Sequence, residues 1–315
     1  MMFPLGVGRI PRRAVGLVIL ALLLAASLLT GCAQGPAPLP PVPAPQAPPA
    51  LPGPTQSPAG AAVLPPAPVD PVKVPSSVGA ERKAPVLMYH EIGDGQNELW
   101  VSEKNFEAQL AFLEERGYHS VTLPQLQAAL EGRAELPSHP IVLTFDDGYS
   151  SHFSTAYPLL RKHGFSGVFF VYTSGVGRPN SVTWDQLREM QAAGMEIESH
   201  TVHHVDLAVA SAHPDRLWRE LADSRSTLQA ELGAPVEYLC YPAGRYNAKV
   251  LEAARRAGYL AAFTTKPGWT TSAQDPLQWR RVRVNRSDTL TGFAAKVGAP
   301  ITGAVAEKAA GGGRS

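Results

Sequence analysis

The sequence lacks the features that mark several large classes of protein. It has 315 residues but only one cysteine, Cys240, after Cys32, so the chain beyond Cys32 cannot form an internal disulfide. Its formal net charge is +1 and it has no block of basic residues, which argues against a nucleic-acid partner. Its longest apolar run, residues 14–29, is shorter than the ~20 residues that a membrane-spanning helix needs. A domain without disulfides has to be stabilised by packing, helped by a metal ion if one is bound.

The first 32 residues have the pattern of a secretory signal peptide. Arg9, Arg12 and Arg13 precede the apolar run, which ends in small residues and Cys32. The segment Leu-Thr-Gly-Cys resembles the lipobox of bacterial lipoproteins, in which the cysteine becomes the lipidated first residue. We therefore expect an exported protein that is lipid-anchored at Cys32 to a bacterial membrane, with its domain facing the periplasm or the cell exterior. A plain signal peptide and an uncleaved anchor are the alternatives.

Composition divides the rest of the chain into three parts. Residues 33–84 hold 16 of the 30 prolines and bury too little apolar surface to fold, so they are predicted to form a disordered linker. Residues 85–298 are long enough for one domain with a sizeable core. Residues 299–315 end in Gly-Gly-Gly-Arg-Ser and are predicted to be a disordered tail. The linker is expected to hold the domain away from the membrane.

Strand and helix patterns alternate through residues 85–298. Short apolar runs predict strands, and several are followed by a helical pattern that ends at a glycine. The predicted strands are 86–89, 119–122, 141–145, 167–172, 195–199, 238–241 and 260–263. About seven consecutive β/α units imply an α/β fold with a parallel sheet, either a barrel or a doubly wound sheet. In both folds, ligands bind at the carboxyl ends of the strands.

Two adjacent aspartates, Asp146 and Asp147, follow one of these strands in the segment PIVLTFDDG, residues 140–148. Two carboxylates that are buried close together repel each other, so one of them takes up a proton unless something compensates. A metal ion is the usual compensation. We therefore predict that one aspartate binds a metal and that the other transfers protons. From this segment alone, a solvated Asp-Asp-Gly turn explains the residues equally well.

Three histidines, His200, His203 and His204, directly follow another predicted strand. Imidazole nitrogens are good ligands for zinc and similar divalent ions. Two imidazoles and one carboxylate leave coordination positions open, as a catalytic metal requires. A further histidine, His90, lies just past the first strand, on the side of the sheet where the other clusters are expected. Taken alone, His90 is more simply interpreted as a capping or surface residue.

The segments TFDDG and SHTVHH, in this order and each at a strand end, resemble the polysaccharide deacetylases with a NodB-homology domain, which form carbohydrate esterase family 4. The resemblance covers roughly residues 85–293. It implies a distorted (β/α)7 barrel that binds a divalent metal ion, with Zn²⁺ as the first choice and Co²⁺, Ni²⁺ or Fe²⁺ as alternatives. The implied metal ligands are Asp147, His200 and His204. Asp146 then corresponds to the catalytic base.

Two later segments depart from the common pattern of this family. Cys240 stands where many members carry an arginine, and no histidine follows His213, although a C-terminal histidine is the common general acid. The chain is therefore either impaired or a member of a subgroup that supplies these groups from elsewhere. Its Leu-x-Tyr-His and Tyr-Pro-x-Gly-x-Tyr segments resemble the poly-N-acetylglucosamine deacetylase subgroup. That resemblance implies His90 as the general acid and Arg281 as the arginine beside Asp146, with Arg280 and Arg283 as alternatives for this arginine.

The segment around residues 241–246 is predicted to contact the substrate. A backbone amide near Tyr241 is expected to stabilise the oxyanion that forms on the substrate. Tyr246 is the aromatic residue best suited to stack on a sugar ring.

These features predict a metal-dependent hydrolase that removes N-acetyl groups from an N-acetylglucosamine-containing polysaccharide at the cell envelope. Poly-β-1,6-N-acetylglucosamine, a biofilm polysaccharide, is the first choice of substrate and peptidoglycan is the second. Hydrolysis of O-acetyl groups is a further alternative. A non-catalytic glycan-binding lipoprotein that keeps the fold is the alternative from a different functional class. The sequence makes no prediction about oligomeric state or partner proteins.

Overall fold

The computed structural model of this chain describes residues 81–299. The predicted signal peptide, its Cys32, the linker up to residue 80 and the tail beyond residue 299 lie outside the described residues. Within the predicted linker, Lys83–Ala84 already forms a short strand that pairs antiparallel with Thr270–Thr271. Among the described residues, no helix combines the length and the apolar character needed to cross a membrane.

Seven parallel strands close into a barrel, which confirms the predicted (β/α)7 class of fold. Each strand pairs with the next one in the chain, and the last strand pairs with the first. In chain order they are β1 (Val86–Tyr89), β2 (Pro140–Asp146), β3 (Val168–Val171), β4 (Glu196–Ser199), β5 (Tyr238–Cys240), β6 (Ala261–Pro267) and β7 (Trp279–Arg283). Because all seven run in one direction, their carboxyl ends meet at the same edge of the barrel.

One predicted strand does not belong to the barrel. The sequence pattern places a strand at residues 119–122, but the structure has only His119–Ser120 there, outside the ring and paired with the start of β2. The ring is completed instead by β7, which lies between β6 and β1. Its sequence, Trp-Arg-Arg-Val-Arg, gives no strand signal because the central Arg281 is charged and nevertheless fully buried.

The α-helices connect the strands around the barrel. They are α1 (Glu103–Glu115), α2 (Leu123–Leu130), α3 (Tyr157–Lys162), α4 (Trp184–Ala192), α5 (Leu207–Ala210), α6 (Pro214–Leu232), α7 (Ala248–Arg256) and α8 (Leu290–Lys296). Thr183 starts α4 with a capping box, as predicted, because its side chain and that of Gln186 exchange hydrogen bonds with each other's backbone amides. A π-helical turn at His152–Ala156 leads directly into α3.

Two apolar clusters cover the two faces of the strands. One combines strand side chains with those of the outer helices. The other combines the opposite strand faces, including Val142 of β2 and Phe170 of β3, with leucines of α2. The Leu123 amide of α2 donates to the carboxylate of Glu196 at the start of β4, so α2 lies at the amino-terminal end of the barrel. Polar side chains lie at the carboxyl-terminal end of the barrel.

Pairing is sparse between β4 and β5, where only Ser199 and Leu239 are in register. The carboxylate of Glu198 replaces the missing ladder bonds, since it accepts from the amides of Glu237 and Tyr238 at 3.0 and 2.9 Å. Burial raises the pKa of Glu198 well above its usual value in spite of these two donors. A buried side chain therefore joins the two strands whose ends carry His200 and Cys240.

Candidate functional site

Asp146 and Asp147 lie at the carboxyl end of β2 and face different partners. Asp146 is the last residue of the strand and is only 2% exposed, whereas Asp147 has a left-handed backbone with φ of 78°. This change of direction brings Asp146 to Arg281 and Asp147 to His200. Gly148 continues the turn with φ of 68°, and a Cβ at this position would lie 3.1 Å from a side chain of β3. The backbone therefore needs the glycine, and the two carboxylates are not equivalent.

A bidentate ion pair joins Asp146 to Arg281 of β7. Nη1 and Nη2 of the guanidinium donate to Oδ1 and Oδ2, each at 2.7 Å, and both side chains are buried. Burial alone would raise the pKa of Asp146, but the charge and hydrogen bonds of Arg281 outweigh it and lower this pKa to about 2. Asp146 is therefore ionised at neutral pH.

Cys240 of β5 lies against this ion pair, and its small side chain is fully buried. Arg281 donates from Nη2 to the Cys240 sulfur at 3.0 Å, from Nη1 to Thr144 Oγ1 at 3.0 Å and from Nε to the Thr264 carbonyl at 3.1 Å. The guanidinium thus extends from β7 to Asp146, and the small thiol on β5 leaves space for it. Arg281 therefore places a guanidinium beside Asp146, although position 240 has a cysteine.

Asp147, His200 and His204 bring three potential metal-donor atoms together. Asp147 Oδ1 lies 3.2 Å from His200 Nε2 and 3.1 Å from His204 Nε2. Donor atoms bound tetrahedrally to one Zn²⁺ at about 2.0–2.2 Å lie roughly 3.3 Å apart, so this spacing fits a single ion.

The tautomer of His200 supports the same conclusion. Its Nδ1 donates to the Cys240 carbonyl at 2.7 Å, which leaves Nε2 without a proton in the neutral ring. That lone pair then faces the Asp147 carboxylate, and two acceptors in contact repel each other unless a proton or a cation lies between them. A divalent metal ion satisfies both groups, so the donor set fits the metal that the sequence predicts.

The loop that carries the two histidines is strained and is held by Glu220 of α6. Thr201 and His204 have left-handed backbones, with φ of 72° and 55°. The buried Glu220 carboxylate accepts from the amides of Val202 and His203 at 3.1 and 2.9 Å, and from His203 Nδ1 at 2.8 Å. His203 therefore helps to hold the loop to α6 and is not one of the three potential metal donors. Sequence reasoning missed Glu220, since a single acidic residue in an amphipathic helix is typical of the solvent face.

His90 lies just beyond β1, beside Asp146. Its Nε2 is 3.9 Å from Asp146 Oδ2, which is close but beyond hydrogen-bond distance. Burial lowers the pKa of His90, while the negative charges of Asp146 and Asp147 oppose this effect. The His90 carbonyl accepts a hydrogen bond of 2.6 Å from Nε2 of His152. His152 belongs to no motif in the sequence and would be taken for a loop or surface residue, but its side chain is 0% exposed.

Tyr241 and Tyr246 stack on each other, with ring centroids 4.9 Å apart. Tyr241 is fully buried, its hydroxyl donates to the Leu277 carbonyl at 3.0 Å, and its amide donates to the Phe263 carbonyl at 3.1 Å. Both polar groups therefore have partners within the barrel, and the contact of Tyr241 with the substrate stays a prediction. The partly buried Tyr246 accepts a hydrogen bond from Lys266 Nζ at 2.6 Å, and its contact with a sugar stays a prediction.

A cleft of about 510 Å³ opens beside the donor set and includes Asp147 and His204 in its lining. The rest of its wall comes from the segments that follow β2, β3 and β4, with Tyr149, Tyr172 and Arg178 among the lining residues. Aromatic rings together with polar donors are suited to sugar rings and their hydroxyls. Sequence reasoning did not select Tyr172 or Arg178, because neither belongs to a recognisable motif.

Known proteins share this combination of barrel and site. The Bacillus subtilis (strain 168) protein YxkH, named as a polysaccharide deacetylase, is 36% identical over 216 residues, which cover 68% of this chain and 76% of the relative. The chain belongs to the polysaccharide deacetylase family. The deacetylase is thus a hydrolase of carbon–nitrogen bonds, and its family is metal-dependent. The family's sequence profile, described as polysaccharide deacetylase, matches residues 133–262 of this deacetylase, which include both aspartates, His200 and His204.

Two further comparisons concern the deacetylase fold and its sequence relatives. The solved structure of the Streptococcus pyogenes deacetylase PplD, in complex with acetate, is similar with a TM-score of 0.66 and 29% identity, over 69% of this chain and 99% of that one. The poly-beta-1,6-N-acetyl-D-glucosamine N-deacetylase of Escherichia coli (strain K12) is 23% identical over 256 residues. That match covers 67% of this chain but only 38% of the Escherichia coli protein.

Proposed function

We propose that this deacetylase removes N-acetyl groups from N-acetylglucosamine residues of a cell-envelope polysaccharide. Poly-β-1,6-N-acetylglucosamine is the first substrate and peptidoglycan the second. The observation that carries the proposal is the meeting, at one barrel edge, of the Asp147–His200–His204 donor set with the ionised Asp146 and with His90. The likeness to proteins named poly-beta-1,6-N-acetyl-D-glucosamine N-deacetylases supports the order of the two substrates.

The residues of the site have distinct roles in this proposal. A Zn²⁺ ion held by Asp147, His200 and His204 would polarise the acetamide carbonyl and acidify a water molecule. Asp146 accepts the proton of the water that attacks the acetamide carbon, and Arg281 keeps that carboxylate ionised and oriented.

His90 completes the reaction at the leaving group. As the carbon–nitrogen bond breaks, protonated His90 gives its proton to the nitrogen, so that acetate and a free amine are released. Burial lowers the pKa of His90, which makes the protonated ring a better acid, while the Asp146 carboxylate 3.9 Å away favours the protonated form. Without this proton an amide nitrogen is a poor leaving group.

The proposal is tested by a substrate panel. The full-length protein, loaded with Zn²⁺, is incubated with poly-β-1,6-N-acetylglucosamine oligomers, peptidoglycan fragments and an O-acetylated polymer, and released acetate and new amines are measured. We expect acetate and amine in equal amounts from the first substrate. The Asp146→Asn variant should bind metal normally but lose about 10²–10⁴-fold in rate. Normal turnover by this variant would show that the role assigned to Asp146 is wrong.

The same panel separates deacetylation from the non-catalytic alternative. A glycan-binding protein would bind the metal and a polymer without releasing acetate from any substrate. Two features motivate that alternative, namely the cysteine at the position where many family members have an arginine and the missing C-terminal histidine. Arg281 removes much of the first, because its guanidinium contacts both Cys240 and Asp146. Release of acetate without amine would favour O-acetyl hydrolysis.

We further propose that Cys32 carries a lipid anchor and that the linker extends the domain away from the membrane. The support is the sequence alone: a signal-peptide pattern that ends in Leu-Thr-Gly-Cys, followed by a proline-rich segment. Metabolic labelling with a fatty acid in a bacterial host should label the wild type and leave a Cys32→Ala variant unlabelled. Equal labelling of both proteins would remove the proposal.

A further inference from the structure

His152 has a position that packing alone does not explain. Its ring is completely buried among aromatic rings, with centroids 5.6 Å from Phe145, 5.8 Å from Tyr149 and 5.6 Å from Phe169. Within residues 81–299, its Nδ1 has no hydrogen-bond partner. A buried polar atom without a partner costs free energy that a phenylalanine or leucine would avoid. Something else about the ring must therefore account for an imidazole here.

The other ring nitrogen supplies that reason. His152 Nε2 lies 2.6 Å from the carbonyl oxygen of His90. A carbonyl can only accept, so Nε2 carries the proton and the neutral ring has the Nε2–H tautomer. Burial lowers the pKa of His152 to about 4, which is consistent with a neutral donor.

The bond reaches the backbone at the place where sheet pairing ends. The last register pair between β1 and β2 is Tyr89 with Phe145, so the carbonyl of His90 lies beyond the ladder. A second contact joins the same segments, since the Ile92 amide donates to Ser151 Oγ at 3.3 Å. The chain from the His90 carbonyl to the Ile92 amide is thereby tied to the turn that follows the TFDDG segment.

The backbone around His152 is itself unusual. Residues His152–Ala156 form a π-helical turn at the start of the α3 segment. Such turns are rare and occur frequently at functional sites, because they change the direction of a side chain relative to a regular helix. Here the turn begins at the residue whose ring reaches the end of β1.

We propose that His152 is a positioning residue for His90: its Nε2–H holds the main chain at the end of β1 and so keeps the His90 ring beside Asp146. The inference rests on the proposed function, in which His90 protonates the leaving amine. His152 touches neither the substrate nor the metal ligands in this role. It limits the movement of the residue that delivers the proton, and a displacement of about 1 Å at such a residue can cost on the order of 10²-fold in rate.

The test compares substitutions that remove or retain the donor. His152→Phe and His152→Leu lack it, whereas His152→Gln keeps an amide N–H at a similar distance from the backbone. We expect the Phe and Leu variants to lose about 10–100-fold in kcat with KM nearly unchanged, and the Gln variant to recover most of the loss. The matched control is Ser154→Ala, which changes an exposed residue of the same π-helical turn and should stay within about twofold of the wild type. Bound metal and the unfolding temperature of each full-length variant are measured in parallel, and if the Phe variant does not fold, the Leu variant provides the comparison.

A double-mutant cycle with His90→Ala separates the role of His152 from the role of His90. If His152 acts through His90, His152→Leu should cause no further loss in the His90→Ala background. Wild-type kcat in both donor-less variants, equal losses in the Leu and Gln variants, or the same fold-loss in both backgrounds would overturn the inference. Wild-type kcat in His90→Ala alone would instead overturn the role of His90 in the proposed function.

Discussion

Replacing Arg281 by methionine is expected to destabilise the folded deacetylase by about 3–5 kcal/mol at pH 7, because it leaves a buried carboxylate without its partner. In the wild type, Asp146 is 2% exposed and receives both of its short charge-assisted hydrogen bonds from Arg281. Methionine fills much of the same volume but donates no hydrogen bond. For a domain of this size, the loss corresponds to a fall in unfolding temperature of roughly 6–20 °C.

The same ion pair predicts the direction in which stability changes with pH. The pKa of Asp146 in the folded protein, about 2, lies below its ordinary value of 3.8. The ionised carboxylate therefore contributes about 2 kcal/mol of stability above pH 4, and this contribution is lost as the pH falls through 2. In Arg281→Met the unpaired carboxylate has a raised pKa, so its contribution reverses and the variant should gain stability as the pH falls from 7.

The assay is urea unfolding followed by tryptophan fluorescence, with a chelator in every sample so that metal binding does not contribute to stability. The matched control is the double variant Arg281→Met, Asp146→Asn, which removes both charges and should recover a large part of the loss. If Arg281→Met unfolds within about 1 kcal/mol of the wild type, or if the two substitutions are simply additive, the ion pair does not have the role described.

The remaining predictions concern the donor set, its loop and the base of the barrel. His200→Ala should abolish tight metal binding, measured by elemental analysis after dialysis, and a variant that retained one equivalent of metal would contradict the site. Glu220→Ala should weaken metal affinity about 10–100-fold by releasing the strained loop, measured by competition with a chelating dye, whereas the exposed-residue control Glu252→Ala should bind like the wild type. Burial raises the pKa of Glu196 to about 7, against an ordinary value of 4.5, so wild-type stability should fall as the pH rises from 4.5 to 7 through this group. Glu196→Gln should remove that part of the slope in pH-dependent urea unfolding, and an unchanged slope would contradict the burial argument.

The parts of the fold that follow local patterns could be predicted from the sequence. The apolar run before Asp146 predicts β2, and the parallel arrangement of successive strands places the ends of β2 and β4 at one edge. That is why Asp147 and His200, far apart in the sequence, could be expected to meet. The capping box at Thr183 is equally local, and it predicts the start of α4 correctly.

The parts that were missed depend on partners distant in the chain. The strand β7 was missed because the burial of Arg281 depends on Asp146 and Thr144, which accept its hydrogen bonds, and nothing in the neighbouring Trp-Arg-Arg-Val-Arg residues indicates this compensation. The contact of Arg281 with Asp146 was implied only by the family resemblance. Glu220 was missed for a similar reason, because its acceptor role depends on the loop that follows β4. The hydroxyl and amide of Tyr241 likewise donate to carbonyls elsewhere in the chain, which its motif does not indicate.

The order of the strands also determines when the site can be completed. Each barrel strand pairs with its neighbour in the sequence, except at the closure, where β7 joins β1. A chain that is made from its amino terminus contains Asp146 long before it contains Arg281. Until the final strand arrives, the carboxylate has no guanidinium to neutralise it, and a fragment that stops before residue 279 can neither close the ring nor bury this charge with its partner. Completion of the Asp146–Arg281 ion pair is therefore coupled to closure of the barrel by β7.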